Sequence, residues 1–265
     1  MRTPFGRREL TLSARREHGA YVVLAAPDPQ GPPPEPGQFY MLATADRWGG
    51  GADGRPYLPR ACSVLRLGAD GLEFMLEDVG PGTERLCELE PGDGLWVMGP
   101  VGHGFREPQE DRRALLCGGG VGTAPLALLQ DRLRAAGRPA PVLLGFRDAD
   151  HAHGAELLPG ARVATDDGSV GHHGLVTDLL VDELDDDAHA VVYACGPPPM
   201  LEAVRALCAA RGVPVQLALE SGMACGFGAC FGCAVPKPGG GYLRLCIDGP
   251  VLRGDQVEEV SHAYA

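Results

Sequence analysis

Between residues 21 and about 105 the apolar positions come in short runs, at 21–25, 38–43, 61–67, 72–76 and 94–98, separated by Pro-Gly or Gly-containing turns. Short segments of strand character at this spacing predict a small antiparallel β-barrel. After Pro108 the rhythm changes. An apolar run at 114–117 passes through a glycine run into a helical pattern at 126–136, and a second run follows at 141–146. Further strand and helix pairs are read at 162–164 with 177–184 and at 190–195 with 199–211, and 213–220 reads as a last strand. Strands alternating with helices predict a parallel sheet. The remainder, from Ser221 on, has three cysteines in nine residues and a Gly-rich hairpin signal at 238–242, and is too small to fold without a staple. The fold class predicted is a multi-domain α+β chain: a β-barrel unit at 1–107, a Rossmann-like α/β unit at 108–219 and a small C-terminal unit at 220–265. The Gly-rich stretch 47–59 reads as an ordinary surface loop rather than a lid.

Composition narrows the function classes. Acidic residues outnumber basic ones 35 to 23 and no stretch clusters basic residues with aromatics, so no nucleic-acid footprint is present. The longest apolar runs, such as 114–116 and 191–194, fall far short of the ~20 residues of a membrane span, and residues 1–10 are polar. A chain neither exported nor embedded in a membrane is expected. Nine cysteines without a secretory leader point to a reducing compartment, with the cytoplasm as default, where thiols serve as core filler, catalytic groups or metal ligands.

Four of those cysteines carry the strongest chemical signal. Cys225-x4-Cys230-x2-Cys233, followed after twelve intervening residues by Cys246, has the spacing of plant-type 2Fe-2S ligation. Gly226, Gly228 and Gly232 suit a loop that must turn its N–H groups toward sulfur. Zinc is the alternative, although structural zinc sites favour two short ligand pairs over an x4 then x2 rhythm. The remaining five, Cys62, Cys87, Cys117, Cys195 and Cys208, read as core or strand-end residues.

Two turns in the second unit have the character of nucleotide sites. Gly118, Gly119, Gly120, Val121, Gly122 and Thr123 run from a strand into a helix, where backbone and helix N-terminus meet a pyrophosphate. Cys195-Gly196-Pro197, with Met200 beyond it, breaks a second strand at the sheet edge where open α/β sheets bind ligands. In the barrel region, Arg60-Ala61-Cys62-Ser63 begins a strand, and Gly80-Pro81-Gly82-Thr83 follows at a predicted helix N-terminus. An arginine offers a bidentate phosphate contact, and the Gly82 and Thr83 N–H groups with the Thr83 hydroxyl offer a second. Together these describe a dinucleotide laid across a barrel.

These elements in this order resemble the ferredoxin-NADP reductase superfamily. The run from Glu220 to Cys233, with Cys246-Ile-Asp-Gly-Pro-Val251, is similar to the electron-transfer subunits of dihydroorotate dehydrogenase B. The resemblance implies FAD in the barrel, NADH on the α/β unit and a 2Fe-2S cluster on Cys225, Cys230, Cys233 and Cys246. By it Arg60 would contact the FAD phosphates, Ser63 the flavin, and Gly82 with Thr83 the pyrophosphate. Ala61 and Cys62 lie within that motif, with Ala61 in place of the family's proline. Met75, Leu76 and Glu77 correspond to another FAD-contacting stretch, where Glu77 replaces a basic residue. The glycine run would carry the NADH pyrophosphate, and Cys195 to Pro197 would lie by the nicotinamide.

The function implied is electron transfer from NADH through FAD and the cluster to an FMN-containing catalytic subunit that oxidises dihydroorotate in pyrimidine biosynthesis, as a heterotetramer. No catalytic acid, base or nucleophile is expected, because the cofactors carry the chemistry. A reductase for another partner, such as a sulfite reductase, a hydrogenase or a biosynthetic oxidoreductase, is a second reading, and a redox-sensing module a third. Asp148 is a candidate for the NAD ribose and Arg147 for a 2′-phosphate. His151, His153, His172 and His173 read as solvated loop histidines, and the acidic run 182–187 as a solvated helix end.

Overall fold

A computed structural model describes residues 6–48, 56–108, 111–258 and 260. Most of the 47–59 loop, at residues 49–55, lies outside the described residues. The first sheet contains β1 (Arg8–Thr11), β2 (Ala14–His18), β3 (Tyr21–Ala26), β4 (Phe39–Thr44), β5 (Arg60–Gly68), β6 (Gly71–Glu77) and, after helix α1 (Pro81–Cys87), β7 (Gly94–Val101). Their order is β1-β7-β4-β5-β6-β3-β2, all antiparallel. The two edge strands are consecutive stretches of chain joined at Leu12 and Ser13. Leu12 N donates to Asp93 O at 2.9 Å and Ser13 N to Ala25 O at 2.8 Å, so the chain itself bridges the gap and the sheet curls into the expected barrel. Strict alternation along β7 sends Leu95 and Val97 inward, where they join Tyr40, Leu42, Val64, Phe74 and Leu86.

The second sheet holds β8 (Arg113–Gly119), β9 (Val142–Phe146), β10 (Arg162–Thr165), β11 (His172–His173), β12 (Ala190–Cys195) and β13 (Val215–Ala218), with helices α2 (Ala124–Ala135), α3 (Ala149–Ala152), α4 (Val176–Asp186) and α5 (Pro198–Arg211) between them. β8 shows why both faces are covered. Leu115 and Cys117 point into a core shared with α4 and α5, while Ala114 and Leu116 point into a core shared with α2. The order β11-β10-β9-β8-β12-β13 reverses direction after β8, which puts a topological switch point between the carboxyl ends of β8 and β12.

The C-terminal segment forms the expected hairpin, β14 (Ala234–Pro236) with β15 (Tyr242–Arg244), and then β16 (Val251–Arg253). β16 adds antiparallel to β13, crossing the boundary read at residue 220. Val235, Leu245, Cys233 and Cys246 are buried in the same core as Leu217 and Leu252. The small unit is therefore stapled to the α/β sheet by shared burial, worth about 1.5–3 kcal/mol for a side chain such as Leu245. Among the described residues no helix is long and apolar enough to cross a membrane.

Candidate functional site

At the switch point the two predicted turns touch. β8 passes through a 3-10 turn, Gly120–Thr123, into α2, and β12 passes through Gly196 and Pro197 into α5. A Cβ on Gly122 would stand 2.6 Å from the Cys195 carbonyl and from Gly196 Cα, and one on Gly119 would stand 2.5 Å from Met200 Sδ. Thr123 is fully buried and its hydroxyl donates to the Gly120 carbonyl, so it shapes the turn and leaves the backbone to face a ligand. Above the turns lies a cleft of about 520 Å³, walled on the sheet side by Gly119, Gly120, Val121, Gly122, Pro197 and Met200 and on the barrel side by Tyr21 and Glu77. The Tyr21 hydroxyl is buried against this cleft with no hydrogen-bond partner among the described residues. A buried phenol left unpaired is costly unless a ligand answers it.

Beyond β9 the cleft meets a charged cluster. Arg147 Nη2 donates to Glu77 at 2.8 Å, joining sheet to barrel, and also lies against His151. Asp148 is the N-cap of α3: it accepts from the His151 N–H at 3.0 Å and faces the ring Nδ1 at 2.6 Å. Hydrogen bonding to His151 holds its carboxyl below the usual carboxylate range. Asp148 is thus committed to the helix end, and it is Asp166, past β10, that lines the cleft. His151 corrects the sequence reading. It is 8% exposed, packed edge-on against Tyr21 at 5.7 Å and faced by two carboxylates. His153 and His172 are on the surface but paired with Glu156 and Asp178, and the 182–187 run is not simply solvated, since Glu183 binds both Arg113 and Arg162.

On the barrel, Arg60 and Gly82 come together: a Cβ on Gly82 would sit 2.3 Å from Arg60 Nε, so the guanidinium lies directly over the glycine and a larger residue there would push it aside. Thr83 Oγ1 accepts from Val79 N at 2.9 Å and donates to Gly80 O at 3.0 Å. Ala61 and Ser63 line a second cavity of about 80 Å³ together with Cys195, Glu220, Ser221 and Met223. Cys62, Met75 and Leu76 turn their side chains into the cores, leaving only backbone for a ligand, and the Glu77 carboxylate points into the larger cleft. Glu220 lines both cavities, reachable from the clefts yet set deep among protein atoms, and loss of hydration raises its carboxyl above the ordinary range. Burial, reinforced by Glu220, also pushes the Cys195 thiol well up.

Five residues past Glu220 the chain reaches Cys225. Cys225 pairs with Cys230, whose N–H donates to the Cys225 sulfur at 3.4 Å, and Cys233 pairs with Cys246 at 3.3 Å between sulfurs. Burial opposes ionisation of Cys225, but N–H groups of Cys230, Phe227 and Ala229 and the Cys230 thiol outweigh it and bring the thiol down to about 6. Burial and the neighbouring Cys233 push Cys246 up to about 12. Gly226 and Gly228 have φ of 74° and 86°, as the loop read from sequence requires. Among the described residues no three His, Cys, Asp or Glu side chains converge closely enough to hold a single metal ion; the thiols stand as two pairs.

Comparison with known proteins decides the family. The chain is 38% identical over 235 residues to the dihydroorotate dehydrogenase B (NAD(+)) electron transfer subunit of Caldanaerobacter subterraneus subsp. tengcongensis, covering 86% of this chain and 89% of that one. The chain belongs to the dihydroorotate dehydrogenase B electron-transfer subunit family. A probable subunit of the same kind from Methanopyrus kandleri is 39% identical over 230 residues, covering 84% of this chain and 81% of the other. Residues 220–258 match the iron-sulfur cluster binding domain of dihydroorotate dehydrogenase B. Among solved structures, an NADH-dependent reduced ferredoxin-NADP oxidoreductase superposes with a TM-score of 0.80 at 26% identity, covering 96% of this chain and 91% of that one. A ferredoxin NADP+ reductase from Neisseria gonorrhoeae superposes at 0.63 with 18% identity, over 78% of this chain and 92% of that one, which shows the common fold.

For this electron-transfer subunit the sequence reading left out Tyr21, His151, Asp166 and Glu220 as parts of the cleft. Tyr21 begins an apolar strand and so reads as core, and Asp166 sits in a polar turn. Glu220 ends a strand pattern directly before the cysteine loop, and that placement is the one signal that could have found it.

Proposed function

We propose that this chain carries electrons from NADH, through FAD held on the barrel and a 2Fe-2S cluster held by Cys225, Cys230, Cys233 and Cys246, to an FMN-containing dihydroorotate dehydrogenase catalytic subunit in cytoplasmic pyrimidine biosynthesis. The observation that carries this reading is the meeting of two cavities at Glu220, five residues before the first cluster cysteine. One cavity is walled by the nucleotide turns and the other by Ala61 and Ser63 of the flavin motif.

The residues present fit these groups. The unpaired Tyr21 hydroxyl offers a hydrogen bond to a dinucleotide in the larger cleft, and the glycine run presents N–H groups to its pyrophosphate. Arg60, lodged over Gly82, would hold the FAD phosphates, with Thr83 keeping the turn in shape. Ser63 and Cys195 would bound the flavin ring. Two thiol pairs surrounded by backbone N–H groups suit a binuclear cluster that takes two thiolates at each iron. When bound, the flavin supplies the change from hydride to single-electron chemistry and the cluster supplies the one-electron outlet. The chain's own part is to bring nicotinamide and flavin together at Cys195 and Glu220, and to leave the Cys230 end of the cysteine loop exposed toward a partner.

The test is anaerobic assembly with the FMN subunit of the same source. A complex that reduces NAD+ with dihydroorotate, and does so only when both chains are present, is expected. Stable co-purification with a different oxidoreductase, and no dihydroorotate-dependent NAD+ reduction, would move the function to another partner.

A further inference from the structure

The Glu77–Arg147 ion pair stands where the cleft leaves the pyrophosphate turns and runs along the sheet edge toward Asp166 and Thr177. With the nucleotide read into this cleft as proposed above, a reading on which this inference rests, the stretch over β9 and β10 receives the adenosine half. Among the described residues Arg147 is the only arginine or lysine that lines the cleft, with the His151 ring beside it, while Glu77, Asp166 and Glu220 bring carboxylates. A solvent-facing arginine here would be a ready fork for a 2′-phosphate. This one is taken: its side chain is 61% exposed, yet its Nη2 donates to Glu77, whose own side chain is only 18% exposed.

We infer that Glu77 is a specificity-determining residue that excludes 2′-phosphorylated dinucleotides by holding Arg147. A 2′-phosphate approaching Arg147 must either displace the Glu77 carboxylate, leaving a mostly buried anion with only the His151 ring beside it, or settle alongside Glu77 and Asp148 as a third anion on one guanidinium. Both are unfavourable. A ribose 2′-hydroxyl carries no charge and meets neither penalty. Glu77 thus selects through a built-in competitor for the arginine, a different device from a carboxylate that binds the ribose directly. The pair also spans the two halves of the molecule, from the end of β6 to the end of β9, so its geometry is fixed by both sheets.

The test uses the FAD- and cluster-loaded chain and two probes, 2′,5′-ADP and 5′-ADP, titrated calorimetrically, alongside kcat and KM for NADPH and NADH. For Glu77→Gln, which keeps shape and removes charge, the affinity for 2′,5′-ADP relative to 5′-ADP should rise about tenfold, the equivalent of 1.4 kcal/mol. The NADPH-to-NADH ratio of kcat/KM should rise with it, through KM for NADPH and not through kcat. Adding Arg147→Ala to Glu77→Gln should abolish the gain, which loosened packing at Glu77 alone would not do. An unchanged probe ratio in Glu77→Gln, or a gain that survives the double substitution, overturns the inference while leaving the NADH reading intact. Failure of the wild-type chain to oxidise either dinucleotide overturns that reading and this inference with it.

Discussion

The contact between the two nucleotide turns makes Gly122→Ala the most informative single substitution. The new methyl would lie 2.6 Å from three backbone atoms, the carbonyl carbon and oxygen of Cys195 and Gly196 Cα. An ordinary carbon contact is about 3.5 Å, so the β12 turn must retreat by roughly 1 Å, and no flexible side-chain end can yield in its place. Overpacking of this kind costs about 1–3 kcal/mol, and a backbone-on-backbone clash belongs at the upper end. For a chain of this size 1 kcal/mol is about 2–4 °C in Tm, so a fall of roughly 6–12 °C is expected by calorimetry. A displacement near 1 Å at the turn proposed to face the nicotinamide should lower kcat/KM for NADH about 10²-fold in anaerobic stopped flow. Gly120→Ala is the control. Gly120 has φ +54° but its Cβ position is open to 3.9 Å, so only the left-handed backbone cost of about 1 kcal/mol applies and Tm should fall by roughly 2–4 °C. A Gly122→Ala protein with Tm within 2 °C of wild type and unchanged NADH kinetics, or one more stable than Gly120→Ala, would refute the contact.

Three further outcomes are expected. Cys230→Ser should abolish cluster absorption and bound iron while leaving the melting of the cluster-free chain unchanged, because Cys230 is exposed; Cys246→Ser, at a buried position, should lower both. Tyr21→Phe should raise KM for NADH several-fold without lowering Tm, since the hydroxyl removed has no partner among the described residues. The Arg205 guanidinium holds Glu202 below the usual carboxylate range, and the Val260 N–H adds to this. The stability it contributes is present above the unfolded value of 4.5 and lost as pH falls through the lowered folded value, so Tm curves of wild type and Glu202→Gln should converge on acidification below pH 4.5.

The barrel strands from β3 to β7 were legible because they are short apolar runs separated by Pro-Gly or Gly-containing turns. The edge strands β1 and β2, RELT and ARREH, were not, since an edge strand borrows its stability from the neighbour it pairs with and needs no apolar run of its own. The two glycine-bearing turns after β8 and β12 meet because each sits at a strand end, and parallel topology gathers such ends on one edge. What the pattern could not carry was partnership across the sequence. His151 reads as a loop histidine until Tyr21 and Glu77 arrive from the barrel to bury it, Asp148 caps α3 while Asp166 lines the cleft, and β16 is too short to announce that it joins the α/β sheet.

The central claim is that the four cysteines form the outlet of a nucleotide-to-cluster electron path. Anaerobic purification, iron and acid-labile sulfide analysis, and low-temperature EPR before and after NADH addition test it in one preparation. Two irons and two sulfides per chain, with a 2Fe-2S EPR signal that appears on adding NADH, is the predicted result. Stoichiometric zinc with no signal, or a cluster that NADH leaves oxidised in FAD-loaded protein, would contradict it.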